Sequence, residues 1–222
     1  MSRNVAIDGP AGAGKSTIAK LVAKEMGYIY VDTGAMYRAM ALFLIRNNVN
    51  PDNSQDIETY CDKADISIDY VDGVQVVLLD GENVNQFLRT EEVSRMASIS
   101  SANKKVREKL VMLQQRLASQ KDVVMDGRDI GTVVLPGADV KIYLTASSKV
   151  RAKRRYDELV NKGEKCDLGE IEKGIIERDE RDMNRENSPL KQAKDAVLVD
   201  SSYMSIEEVA DTIIGLIKSK IA

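Results

Sequence analysis

An α/β fold with a parallel sheet is predicted by three observations. Five short apolar runs, at residues 5–7, 28–31, 123–125, 140–144 and 196–199, read as strands, the first and third of them buried. Segments with helical periodicity alternate with them. The junction after the first run is rich in glycine, and charged residues crowd the ends of later runs at Asp32, Asp126 and Asp200. Carboxyl ends of strands are where an open α/β sheet builds its site.

Composition narrows the class. The 222 residues suit one domain, or one domain with insertions, at roughly 100–200 residues per domain. Hydrophobic residues at 43 % are enough for a sizeable core. A net charge of −3, with both signs well mixed, argues against a general nucleic-acid or membrane-surface binder. Cys61 and Cys166 lie in polar stretches without CxxC spacing, so reduced cytoplasmic thiols are expected. No N-terminal run reads as a signal peptide, and no apolar run is long enough to span a bilayer. Histidine is absent, which excludes histidine triads, imidazole bases and mixed Cys/His zinc sites. Phosphoryl transfer survives that loss, because it relies on positioning and cationic charge.

The first strand leads into residues 9–16, Gly-Pro-Ala-Gly-Ala-Gly-Lys-Ser, the phosphate-binding signature Gly-x-x-x-x-Gly-Lys-Ser. Gly9, Gly12 and Gly14 lack a Cβ, so the backbone can curl around an anion with its N–H groups pointing inward. Gly9, Pro10, Ala11, Gly12, Ala13, Gly14, Lys15, Ser16 and Thr17 are the expected ATP-binding residues. Lys15, taken as an exposed loop cation, can reach the β- and γ-phosphates, and Ser16 can hold Mg²⁺ through its hydroxyl. The plainer alternative is a chance glycine-rich turn. Against it stand the strand before and the amphipathic helix after, with Ile18, Leu21, Val22 and Met26 on one face and Gly27 at its end.

The rest follows in order. Thr33 is expected to cap a helix striped by Met36, Met40, Leu44 and Ile45, with Arg38 one turn in. A short helix is expected over 55–64. Ile66, Ile68 and Tyr70 then alternate with polar residues, and Asp72-Gly73 and Asp80-Gly81 signal a small antiparallel sheet reaching about Val84. That piece breaks the strand–helix alternation and reads as an insertion. Thr90 and Asn103 cap two helices, the second buried through Val106, Leu110, Leu113 and Leu117. Asp126, ending the third strand, is a candidate carboxylate for Mg²⁺ or its water. Ser147 or Ser148 caps a helix carrying Arg151, Lys153, Arg154 and Arg155, either a solvated face or a mobile cationic lid with its tip near 161–168. Asp167 with Glu170 opens the next helix, where Arg178, Asp182 and Arg185 share a face. Ser205 with Glu208 opens the last, apolar through Ile206, Val209, Ile213, Ile214 and Ile217. Taken alone, Arg38, Ser98 and Arg107 would pass for ordinary polar surface.

Four strings together resemble bacterial-type cytidylate kinases, of the nucleoside monophosphate kinase family. They are Ile7-Asp8-Gly9-Pro10-x-Gly12-x-Gly14-Lys15, Asp32-Thr33-Gly34-Ala35-Met36-Tyr37-Arg38, Asp126-Gly127-Arg128-Asp129-x-Gly131-Thr132-Val133-Val134, and Glu177-Arg178-Asp179-Glu180-Arg181-Asp182-x-Asn184-Arg185. The resemblance covers nearly the whole chain. It implies one P-loop domain over 1–222, a three-layer sandwich with about five parallel strands. It also implies a small antiparallel monophosphate-binding insertion within 33–105 and a helical lid at 150–186.

The resemblance further implies transfer of the ATP γ-phosphate to CMP or dCMP, with Mg²⁺ at Ser16 and Asp126. Arg38, Arg128 and Arg185 would clamp the acceptor phosphate, since guanidinium forks match phosphate oxygens. Ser98, Arg107 and Asp129 would read cytosine, whose N4 amino group donates to a carboxylate where uracil presents O4. Arg178 and Asp182 would hold the pentose, with Thr33 in the same acceptor site. Lys15, Arg128, Arg185 and the lid residues Arg151 and Arg155 would meet transferring or donor phosphates. A monomeric cytoplasmic enzyme is implied. Another small-molecule P-loop kinase is the nearest rival. A GTPase would need Asn-Lys-x-Asp after a strand, and the nearest string, Asn161-Lys162-Gly163-Glu164, ends in Glu.

Overall fold

The computed structural model describes residues 2–221. Strand β1 (Asn4–Asp8) enters the glycine loop and helix α1 (Lys15–Met26), and β2 (Ile29–Asp32) runs directly into α2 (Thr33–Arg46). The expected insertion follows as α3 (Ser54–Cys61), the strands β3 (Ile66–Val71), β4 (Val74–Leu79) and β5 (Glu82–Asn83), then α4 (Glu91–Ser100) and α5 (Lys104–Gln120). The chain returns through β6 (Val123–Gly127), a widened π-type turn at Ile130–Val134, and β7 (Val140–Thr145). Helices α6 (Ser148–Asn161) and α7 (Leu168–Asn184), strand β8 (Val197–Asp200) and α8 (Ile206–Ile221) complete it.

The main sheet has the order β2-β6-β1-β7-β8, and all its pairs are parallel. Register sets Asp32 beside Asp126 and Asp8 beside Gly127, so three strand ends open at one place. Alternation along β1 sends Val5 and Ile7 to one face, with Ile18, Val22, Ile213 and Ile217 of α1 and α8. Ala6 goes to the other face, with Met36, Met40, Leu44 and Leu110 of α2 and α5. Fully burying one such large side chain contributes about 1.5–3 kcal/mol. The layers therefore hold the strand ends in place while the loops beyond them stay free for chemistry.

The insertion is a three-stranded antiparallel sheet with order β3-β4-β5. Both residues of each two-residue turn have positive φ, 51° and 76° at Asp72-Gly73 and 50° and 81° at Asp80-Gly81, as a type I′ turn requires. Thr90, Asn103, Ser147 and Asp167 cap their helices, and Ser205 and Glu208 bond each other reciprocally.

Three expectations need correction. Thr33 is not the cap of α2. Asp32 lies in extended backbone and accepts from Ala35 N, which places Thr33 inside the first turn, where its hydroxyl donates to the Asp126 carbonyl at 2.7 Å. Cys61 is buried in the core, because it lies one turn after Ile57 on the inner face of α3. Ile206 is half exposed, because the first turn of α8 projects past the sheet to the rim of a cleft.

Candidate active site

The glycine loop joins β1 to α1 at the centre of the strand ends. Gly9 has φ +150° and no space for a Cβ, which would overlap the Leu144 carbonyl of neighbouring β7. Gly14 has φ +87°, starts α1 in the left-handed region, and has open space beside it. Its N–H groups sit at the positive end of α1, the arrangement that receives phosphate. Thr17 and Ala13 belong to the same wall.

Lys15 is buried, contrary to the exposed cation expected. Its Nζ donates to the Pro10 carbonyl at 2.8 Å. Burial, with the nearby Arg128 guanidinium, pushes its pKa down to about 7, against the pull of Asp126 and Asp8. Ser16 Oγ donates to Asp126 Oδ2 at 2.9 Å, and Tyr30 Oη donates to Oδ1 at 2.9 Å. Burial and the neighbouring Asp32 raise the Asp126 pKa. Asp8 lies under the loop, its carboxylate accepting from Ile130 N and Gly131 N at 2.7 Å each. Burial raises its pKa to about 6, against those two bonds. Sequence reading quoted Asp8 only within a motif. Its signal was a carboxylate at the end of an interior strand.

Two bays meet at this loop. The bay expected to take the donor, about 600 Å³, is walled by the loop, Arg151, Arg154 and the apolar Met204, Ile206 and Val209. The bay expected to take the acceptor, about 460 Å³, is walled by Asp32, Thr33, Arg38, Ser98, Arg107, Arg128, Asp129, Arg178, Asp182 and Arg185. Gly12, Lys15, Ser16, Arg155 and Glu158 border both. All the expected acceptor residues are thus gathered from α2, α4, α5, the end of β6 and α7.

Each clamp arginine rests on a carboxylate. Arg38 pairs with Asp32 at 3.1 Å and Arg128 Nε with Asp182 at 2.8 Å. Asp129 is buried, bonded by Arg107 Nη2, with Arg185 Nη2 3.7 Å away. Arg185 also donates to the Ser188 carbonyl at 2.6 Å. Burial, then Arg107, lowers the Arg185 pKa, and burial, then Arg128, lowers that of Arg178. Arg38 Nε, Arg107 Nε and Arg185 Nη2 are buried without a hydrogen-bond partner. Such donors are ready for an anion or a base edge. Tyr37, missed as a site residue, stacks its ring 5.4 Å from the Arg107 guanidinium, and burial pushes its hydroxyl up to about 12.

Both expected lid arginines line the larger bay, in different settings. Arg151 is buried under the loop, donating to the Ala146 and Ala11 carbonyls at 2.9 Å each and pairing with Asp179 at 2.7 Å. Its guanidinium is consumed in bracing the loop against α7, because the α6 turn carrying it packs directly on Gly12. Arg155 is half exposed, pairs with Glu158 at 2.8 Å and overlooks both bays.

A phosphate-cradling loop, a second bay of guanidinium groups and a shared lysine define a P-loop phosphotransferase acting on a small anionic acceptor. The fold is shared with a gluconokinase from Sinorhizobium meliloti, which superposes with a TM-score of 0.52 over 98 % of this chain and 92 % of its own, at 14 % identity. The family model for cytidylate kinase matches residues 5–219. The cytidylate kinase of Caldicellulosiruptor bescii is 53 % identical, covering 96 % of this chain and 94 % of its own. Those of Desulfitobacterium hafniense and Halalkalibacterium halodurans are 48 % and 44 % identical, each over 98 % of this chain and 93 % and 98 % of their own. The chain belongs to the cytidylate kinase family, ATP-dependent nucleoside monophosphate kinases that phosphorylate CMP and dCMP in pyrimidine metabolism. Among the described residues, no helix is long and apolar enough to cross a membrane.

Proposed function

We propose that the donor bay holds ATP, the acceptor bay holds CMP or dCMP, and the γ-phosphate passes between them over Lys15. The observation that carries this is the common border of the two bays at Gly12, Lys15 and Ser16. A cation there can touch both the leaving and the accepting oxygens. Lys15 leaves the Pro10 carbonyl and takes the β- and γ-phosphates. Arg38, Arg128 and Arg185 trade their carboxylates for the acceptor phosphate. Guanidinium groups keep full charge through the exchange.

Asp129 accepts from cytosine N4, with Arg107 and Ser98 beside it. Asp182, released from Arg128, and Arg178 take the pentose hydroxyls, and Thr33 closes the floor of the bay. Residues 33–105 form the monophosphate-binding insertion and 150–186 the lid, from which Arg155 bends over the transferring group while Arg151 braces the loop. No covalent intermediate and no general base are required.

Ser16 and Asp126 fit Mg²⁺: a hydroxyl and a carboxylate in direct contact form an all-oxygen pair that suits a hard cation, which keeps its other ligands from water and phosphates. Bound there, Mg²⁺ would neutralise phosphate charge. The site is complete within one chain, which supports a monomer. Both thiols are free, which suits the cytoplasm. A panel of CMP, dCMP, UMP, AMP and GMP with ATP–Mg²⁺ tests the assignment. Cytidine nucleotides are the expected preferred acceptors, and preference for another base would overturn it.

A further inference from the structure

Strand β2 is an edge strand, so its outer N–H and C=O groups need partners. One rung of the insertion supplies them. Tyr70 and Gln75 are directly opposite in the β3–β4 ladder. Tyr70 Oη donates to the Tyr30 carbonyl at 3.3 Å. The Gln75 side-chain amide makes two bonds to one residue: Oε1 accepts from Asp32 N at 2.8 Å, and Nε2 donates to the Asp32 carbonyl at 3.2 Å. A primary amide here copies the double bond that a neighbouring strand would make. Along the same hairpin face Ile66, Val77 and Leu79 enter the core, and the face turns polar only where it meets β2. Asn85 fixes this rung from behind, with Nδ2 donating to the Gln75 carbonyl at 2.9 Å and Oδ1 accepting from Val77 N at 2.9 Å.

Asp32 has no free polar group left. Its carboxylate caps α2 through Oδ1 at 2.9 Å and holds Arg38 through Oδ2 at 3.1 Å. A Cβ at position 34 would lie 3.0 Å from Arg38 Nη1 and 3.2 Å from Asp32 Oδ1, so glycine leaves the room in which this pair sits. A displacement of Asp32 would disturb the ion pair that holds Arg38. We propose that Gln75 is a positioning residue for the acceptor-phosphate clamp, setting Arg38 through Asp32 and tying the clamp to the insertion. This rests on the reading that Arg38 grips the acceptor phosphate.

The amide is required on both sides. Glutamate would keep the bond from Asp32 N but face the Asp32 carbonyl lone pair to lone pair. Methionine keeps the length and makes neither bond. The test measures Kd for CMP and for cytidine, and KM for ATP, in wild type, Gln75→Met, Gln75→Glu, Arg38→Ala and the double variant Gln75→Met with Arg38→Ala. Folding is checked by circular dichroism and melting.

Gln75→Met should weaken CMP binding roughly tenfold, a size common for coupled neighbours, with Gln75→Glu in between. Cytidine binding and KM for ATP should hold, since neither involves Arg38. In the Arg38→Ala background the Gln75→Met change should add nothing. Additive losses in the double variant, or equal losses for CMP and cytidine, would overturn the proposal and leave Gln75 as general support for the bay. If Gln75→Met proves unfolded, Gln75→Glu in the two backgrounds decides by the same criteria. Unchanged CMP binding in Arg38→Ala would instead remove the clamp reading itself.

Discussion

The donor half of the cleft is built mostly from backbone, and the acceptor half from side chains on five elements. The glycine loop carries its geometry in three positive φ angles, 150° at Gly9, 75° at Gly12 and 87° at Gly14. The acceptor half concentrates guanidinium groups that repel one another. Asp32, Asp129 and Asp182 stand between them. A backbone cradle is set by torsions, whereas a side-chain cradle is held by internal ion pairs, which under the proposed function an acceptor would exchange. Even the donor half has one such substitute, the Pro10 carbonyl under Lys15.

The largest expected effect tests whether Lys15 joins the halves. Lys15→Met should cut kcat roughly a hundredfold or more, as removal of a single stabilising donor does elsewhere. Melting temperature should hold or rise, because burial and Arg128 disfavour this cation. Near-normal turnover in a folded variant would break the comparison at its hinge. Next comes base choice. Asp129→Asn keeps the volume and adds a donor that uracil O4 can accept. The preference for CMP over UMP should narrow roughly tenfold or more, since a site built around a substrate donor rejects analogues lacking it. Equal proportional losses for both acceptors would mean that Asp129 serves only to hold Arg107 and Arg185.

The pH profile sharpens the contrast from the donor side. With its pKa pushed down to about 7, Lys15 is mostly charged below that pH and mostly neutral above it. The charged form is the one that takes ATP, so kcat/KM for ATP should fall as pH rises through about 7, by about tenfold per unit beyond it. Triphosphate oxygens restore the charge once bound, so kcat should stay level to higher pH. A kcat/KM that is flat from pH 6.5 to about 9 would remove Lys15 from this role. The smallest effect concerns the sugar. Asp182→Ala should raise KM for CMP by roughly three- to tenfold, the worth of lost hydrogen bonds, and leave KM for ATP unchanged. No change in acceptor KM would cancel the sugar assignment.

Much of this was legible in the chain because the signals were local. Five strands, the glycine loop, both Asp-Gly turns and most of the helix caps each depend on a few consecutive residues. The side-chain bay was legible only through its resemblance to a family, since periodicity does not say which polar residue of a helix faces a cleft. Arg107 shows why: its neighbours Val106 and Leu110 mark a buried face, yet only packing against Asp129 makes a guanidinium belong there. The burial of Lys15 and Arg151 is not legible for a related reason. Their burial comes from contacts 5 residues away at Pro10 for the first, and 28 and 140 residues away at Asp179 and Ala11 for the second. Gln75 carried no signal, because a polar residue beside a turn is unremarkable until the edge of β2 is laid against it.

The glycines of the loop share one letter of code but differ in what would tolerate replacement. In a saturation library, position 9 should accept nothing, because any Cβ strikes the carbonyl of Leu144 on the adjoining strand. That veto belongs to the sheet and would persist however the nucleotide changed. Position 14 has free space and objects only to its torsion, φ +87°, so asparagine, which visits the left-handed region most readily, should survive there at reduced abundance. Variants at the first position would vanish through failure to fold, and those at the second would mostly persist as folded chains. Abundance and activity screens read side by side should therefore split a single motif into an architectural residue and a conformational one.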